Sequence, residues 1–173
     1  MDDPNCIGAG RVASLHLHPK EPGAPLSAVS SVEVVEGKGI EGEPRYFGRV
    51  SRESGKPSRR QVSLIEREQI AEHAATLGLQ KIEPGAVRAN IETEGISLVA
   101  LVGQQVEIGE AVLFLYAPRE PCARMDAVCQ GLRELMLENK QGVMAEVVKS
   151  GRIAVGDRVA VRRELVPSGG RRR

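Results

Sequence analysis

The sequence predicts a β-rich mixed α/β domain: a mostly antiparallel, barrel-like sheet with two or more peripheral helices. Three observations carry that expectation. Short alternating apolar segments occupy both ends and the middle of the chain, and only two segments carry helical periodicity. Twenty valines supply an aliphatic interior in a chain with only two Tyr, two Phe and no Trp, and branched side chains favour a pleated surface. Nineteen Gly and ten Pro punctuate these segments as turns, while no regular βαβ alternation occurs, which argues against a dinucleotide-binding α/β sheet.

The elements follow in order. Residues 1–9 read as a flexible N-terminal tail, with Cys6 of no consequence within it. "RVASLHLH" (11–18) alternates as a strand, "KEPGAP" (20–25) turns the chain, and "SSVEVVEG" (30–37) is a second strand. From Lys38 to Arg60 runs a long polar stretch rich in Gly and Arg, and a loop of that length inside a domain points to function or mobility. "QVSLI" (61–65) is a strand. In the following "EREQIAEHAATLG", Ile70, Ala74 and Leu77 share a helical face and Gly78 is a natural stop. His73 on that helix reads as a surface or boundary residue.

"EPGAVRANIE" (83–92) includes a strand at "VRANI", followed by a short "SLVALVG" and the strand-turn-strand pattern of "QQVEIGEAVLFLYAP" (104–118). An amphipathic helix is expected around residues 126–139. "GVMAEVVKSGRIAVGDRVAVRREL" closes the domain as strands separated by turns at "SGR" and "VGD". One domain over residues 10–165, followed by a flexible basic C-terminal tail over 166–173, suits a chain of 173 residues.

Charge and composition narrow the function. A net charge of +1 provides no general field for nucleic acid or a membrane surface, and no apolar run reaches the ~20 residues that span a bilayer. Neither kind of partner is expected. The N-terminus carries acids where an export signal needs positive charge, and three cysteines form no disulfide framework; a cytoplasmic location follows as an expectation. The cysteines also lack the spacing of a structural zinc site or a CxxC redox pair. His16 and His18 alternate on one strand and would face one side, yet nothing local completes a metal site with them.

One thiol remains. Cys122 in "EPCARMDAVCQGLRE" (120–134) follows Pro121, lies between Arg119 and Arg124, and precedes a helix. Neighbouring cations or a helix N-terminus favour a thiolate, the reactive form; the alternative is a small buried hydrophobe at a strand end. Cys129, beside Val128 and Leu132, reads as core packing on the helix. Arg45, Arg49, Arg52, Arg59 and Arg60 crowd the long loop, and Arg88 lies near Asn90. Guanidinium forks hold phosphate and carboxylate, so this loop reads either as a cradle for an anionic cofactor or as a solvated segment.

Together these segments resemble the MOSC domain, named for the C-terminal domain of molybdenum-cofactor sulfurase. "GKGIEGE" (37–43), "RQVSLIE" (60–66), "EPGAVRANI" (83–91), "VGQQVEIGEAVLFL" (102–115), "EPC" (120–122) and "GRIAVGDRVAV" (151–161) match in order. The resemblance implies a β-rich barrel that binds a molybdenum cofactor of the molybdopterin type. It implies that Cys122, as the catalytic cysteine, carries sulfur or ligates molybdenum, and that Arg88 and Asn90 contact the cofactor; Arg45 and Arg60 are expected to join them if the Arg-rich loop is the cradle. Either sulfur transfer or reduction of N-hydroxylated compounds would follow, or else a non-catalytic role as cofactor or sulfur carrier. A sulfur donor such as a cysteine desulfurase, or an electron-transfer protein, is then the expected partner. Pyridoxal phosphate is not expected in this chain, since no desulfurase domain accompanies it. One departure stands out: many relatives place an Asp and a His after the glycine of the first motif, whereas this chain reads Gly42-Glu43-Pro44-Arg45-Tyr46.

Overall fold

The computed structural model describes residues 9–162. The expected tails, Cys6 and the terminal arginines lie outside these residues, apart from Ala9, which already belongs to the first strand. That strand, β1 (Ala9–Leu17), is followed by β2 (Ser27–Val29), β3 (Ser31–Val35) and β4 (Gly39–Ile40). Then come β5 (Val62–Glu66), helix α1 (Arg67–Thr76), β6 (Ile91–Glu94), a 3-10 turn (Val99–Leu101), β7 (Gln105–Ile108) and β8 (Ala111–Pro118). Two short helices, α2 (Arg124–Val128) and α3 (Leu132–Leu135), precede β9 (Val143–Lys149), β10 (Gly151–Ala154) and β11 (Arg158–Val161).

Strand order around the main sheet is β11-β7-β8-β9-β5-β6-β1, and β1 pairs back onto β11, which closes a barrel; β2 extends β1 outside it. Closure leaves no unpaired edge in the barrel wall. Every pairing is antiparallel except β5 with β6, where α1 provides the crossover that parallel strands require. β10, β3 and β4 form a smaller sheet, and its Val32, Val34, Ile40 and Ile153 share the barrel's core cluster with Leu15, Leu64, Ile91, Leu113 and Leu115. The β-rich barrel with peripheral helices predicted from the alternation is thus the observed fold.

The two-residue period of β5 explains its complete burial. Val62 and Leu64 enter the barrel, whereas Ile65 packs outward in a second cluster with Ile70, Val87, Ala89, Met125, Leu132 and Met136. This outer cluster fastens all three helices to one side of the barrel. Gly78, at φ 69°, ends α1, and Leu79 N–H returns to Ala74 O at 2.9 Å.

Four expectations need correction. His73 is buried because its Nε2 reaches the Lys140 carbonyl at 2.8 Å, so the position is not a surface one. The expected helix over 126–139 is broken: Cys129 is extended and Gly131 takes φ 90°, which divides it into α2 and α3. Leu132 is buried, but Val128 stays 38% exposed and does not share the core face. Finally, "VRANI" is not continuous strand. Arg88 has φ 62° and its N–H bonds to Gly85 O at 3.0 Å, so a turn delays the strand until Ile91. A left-handed non-glycine residue costs on the order of 1–3 kcal/mol, a strain that persists only where the surroundings over-determine it.

Candidate functional site

β8 ends at Pro118, and the segment from Arg119 to the start of α2 lies beside the Arg88 turn, which Arg119 reaches through its side chain. The long 38–60 loop approaches the same place and has its own hydrogen bonds, including Gly48 N–H to Lys38 O at 3.0 Å and Ser51 N–H to Lys56 O at 2.8 Å. Between these three segments is a cleft of about 310 Å³. Cys122 lies in it with Arg45, Arg60, Arg88, Arg119 and Arg124. Cys122 is exposed, so it is not the buried hydrophobe that composition left open. Cys129 is half-buried against the outer core cluster, as its packing role requires.

Arg119 organises the cleft. Its Nη2 donates to the carbonyls of Val87 and Arg88, both at 3.1 Å, which pins the strained turn, while its Nη1 is buried and has no partner. Burial pulls the Arg119 guanidinium down to about 10, leaving it a cation at neutral pH. Burial also lowers Arg88, reinforced by Arg124 and Arg45 and opposed by Cys122 and Tyr46. Arg88 Nη1 donates to Ala24 O at 2.9 Å, and its Nε is buried without a partner. Gln141, 1% exposed, adds an unpartnered acceptor, Oε1, to the same lining. Buried polar atoms without partners are rare in folded proteins. Two donors and one acceptor without protein partners are thus buried in the walls of one cleft.

The only two tyrosines in the chain both line this cleft. Arg45 and Arg60 lie over the ring of Tyr46, at 5.4 and 6.0 Å from its centroid. Burial pushes the Tyr116 phenol up, and the nearby Arg60 and Arg59 offset this only in part, so it stays protonated. Of the remaining loop arginines, Arg59 stacks on Tyr116 at 4.5 Å and pairs with Glu146 at 3.2 Å. Arg49 donates to Pro44 O, and Arg52 does not line the cleft.

Asn90 is placed differently from the expected contacts. It is fully buried, and its carboxamide is used to capacity. Oδ1 accepts from Ser63 N–H and Ser63 Oγ, both at 3.1 Å; Nδ2 donates to His16 O at 3.1 Å and to Glu43 Oε2 at 2.7 Å. Glu43 also accepts from the backbone N–H and the Nδ1 of His18, each at 3.0 Å, and from Arg45 N–H at 2.9 Å. Burial opposes the charge on Glu43, but these hydrogen bonds outweigh it and hold the carboxyl below the usual range. A histidine thus does meet the acid of the first motif, but it comes from the end of β1. His16 instead lies 3.5 Å from Glu92, so the two alternating histidines serve separate carboxylates. Among the described residues, no three His, Cys, Asp or Glu side chains form a group able to hold a metal ion.

The structure therefore brings Cys122, Arg45, Arg60 and Arg88 together and keeps Asn90 behind them. Sequence reasoning singled out Arg119 and Arg124 only as neighbours of the thiol, and missed Tyr46, Tyr116 and Gln141 as lining. The concentration of scarce tyrosines beside the Arg-rich loop and the Cys segment was the one available signal. No helix among the described residues is long and apolar enough to cross a membrane.

Comparison with known proteins places this geometry in context. No curated protein matches the sequence. Among solved structures, the YuaD protein of Bacillus subtilis superimposes with a TM-score of 0.74 at 19% identity, over 88% of this chain and 95% of that one. YiiM from Geobacillus stearothermophilus gives 0.67 at 17% identity, over 91% and 77%. YiiM from Escherichia coli gives 0.63 at 17% identity, over 90% and 71%. At these identities the likeness is one of fold. The family model of the MOSC domain matches residues 25–160, which include every barrel strand except β1, the Arg88 turn, the long loop and Cys122, and the chain accordingly belongs to the MOSC domain family.

Proposed function

We propose that the protein binds a molybdenum cofactor of the molybdopterin type in the Cys122 cleft and uses the thiol for sulfur transfer or as a ligand to molybdenum. One observation carries the reading: the exposed Cys122 shares a cleft with five arginines, whose buried Arg88 Nε and Arg119 Nη1 lack partners beside the unpartnered Gln141 Oε1. These residues fit the cofactor's chemistry. Arg45, Arg60, Arg88 and Arg119 would hold its anionic groups, Gln141 would accept from a pterin edge, and Cys122 would supply a soft anionic sulfur. When bound, the cofactor supplies a metal centre for reduction of N-hydroxylated compounds with electrons from a partner protein. Cys122 itself can take sulfur without net redox change, since its thiolate displaces the thiol of a donor persulfide and becomes Cys–S–SH. The exposure of Cys122 favours this second use, because a donor protein such as a cysteine desulfurase must reach the sulfur directly.

The test is elemental analysis of protein from a cofactor-competent host, paired with Cys122→Ser and with persulfide labelling. Molybdenum in the native protein and its loss in Cys122→Ser support metal ligation. Retained molybdenum with lost persulfide labelling supports sulfur transfer. A native protein that holds no molybdenum, and cannot be loaded with the cofactor, refutes the proposal.

A further inference from the structure

Two more grooves open beside the Cys122 cleft, and Arg88 and Arg124 line all three. These guanidiniums form the junction of a three-armed site. One arm, of about 250 Å³, is polar, with His18, Lys20, Glu21, Arg45 and Arg49 in its walls. The other, of about 560 Å³, is chemically opposite: Pro25, Leu26, Pro84, Ala127 and Val128 line it, and Glu83 is the one acid.

The apolar arm is built by local features that meet at the junction. Arg124, Ala127 and Val128 stand at i, i+3 and i+4 on α2 and so present one face. That face leaves Val128 38% exposed, one of few large apolar side chains so placed. The opposite wall is tied down by Arg88 Nη1 on Ala24 O, at 2.9 Å, which anchors the Pro25–Leu26 segment. The volume falls in the range of small-molecule sites. Apolar walls cannot compensate a buried charge, so the body of a ligand here must be uncharged. At the inner end two guanidiniums select an oxygen-bearing, electron-rich group.

We infer that this apolar arm is the substrate subsite of the Cys122 site, and that it takes a small amphiphile with an apolar body and one anionic oxygen-bearing head. The head sits between Arg88 and Arg124, where the arm meets the cleft that holds the thiol. The word substrate rests on the reading of Cys122 as the reacting group; the ligand preference of the groove does not.

The experiment uses 2-naphthoate as the probe and 2-naphthylmethylammonium and acetate as controls, with affinities from calorimetric titration. Naphthoate binds at least about tenfold more tightly than either control, a difference of about 1.4 kcal/mol. Ala127→Trp fills the arm without a change of charge at an exposed position, and Arg124→Ala removes half of the junction. Each weakens naphthoate by about tenfold or more with the thermal midpoint unchanged. Cys122→Ser leaves naphthoate affinity within about twofold, and it is read separately for loss of molybdenum or persulfide. Equal binding of naphthoate and the ammonium, or unchanged naphthoate affinity in Ala127→Trp, overturns the subsite. A Cys122→Ser protein with full sulfur and metal chemistry overturns the role of the thiol and leaves naphthoate binding as it was.

Discussion

Asn90→Ala separates a residue that touches a ligand from one that holds the site together. Truncation removes four side-chain hydrogen bonds: two from Ser63, one to His16 O and one to the Glu43 carboxylate. Three are neutral, worth about 1 kcal/mol each, and the bond to a charged group adds roughly 1.5–3. The partners are buried and left without replacements, while water entering the space made by truncation recovers part of the loss. A destabilisation of about 3–5 kcal/mol follows. At this chain length each kcal/mol shifts the thermal midpoint by about 2–4 °C, so a fall of about 10 °C is expected. Urea unfolding followed by far-UV circular dichroism measures it on protein without cofactor. Asn90→Asp keeps the shape but sets a second carboxylate against Glu43. Its shared proton is held more tightly in the folded state, so this variant recovers stability as pH falls. An Asn90→Ala protein that unfolds within about 1 kcal/mol of the parent, yet loses cofactor, would refute the positioning role and restore Asn90 as a contact.

Three further outcomes are expected. Glu43 has a depressed folded-state pKa, so its contribution to stability is complete above the unfolded carboxyl value and disappears as pH falls through the folded one; urea midpoints from pH 7 to 3 should drop less steeply for Glu43→Gln than for the parent. Cys122 should alkylate faster than Cys129 near neutral pH in the folded protein, with mass spectrometry of iodoacetamide-treated peptides as the measurement, because Cys129 is half-buried and its Sγ lies 3.7 Å from Gln130 O. Gly142→Ala should cost roughly 2–5 kcal/mol in urea unfolding: its φ of 76° strains any Cβ, and that Cβ would overlap the Leu64 carbonyl oxygen. Gly142 O also accepts Arg119 N–H at 2.9 Å, so the same substitution disturbs the cleft.

What was legible in the sequence is what short-range physics controls. Alternation with a period of two marked the strands on both sides of the barrel, apolar spacing marked α1, and the Gly-bearing turn at "VGD" fell between β10 and β11, whereas Gly151 and Arg152 of "SGR" belong to β10 and only Ser150 separates it from β9. The thiol with its flanking arginines, and the loop arginines as a separate group, were visible as chemistry without an address. Only the closed barrel decided which of them meet. It brought Arg45, Arg60 and Arg88 to Cys122, turned Arg59 onto Tyr116, and buried His73 against a carbonyl 67 residues away. It also gave Asn90 four internal partners from three separate segments, so that a residue matched to the cofactor by motif became the support for its neighbours. A strand pattern records which face of a residue is apolar. The partner a polar group finds is set by where distant backbone ends after closure, and for Arg88 by a left-handed turn that Arg119 holds from the far side of the cleft.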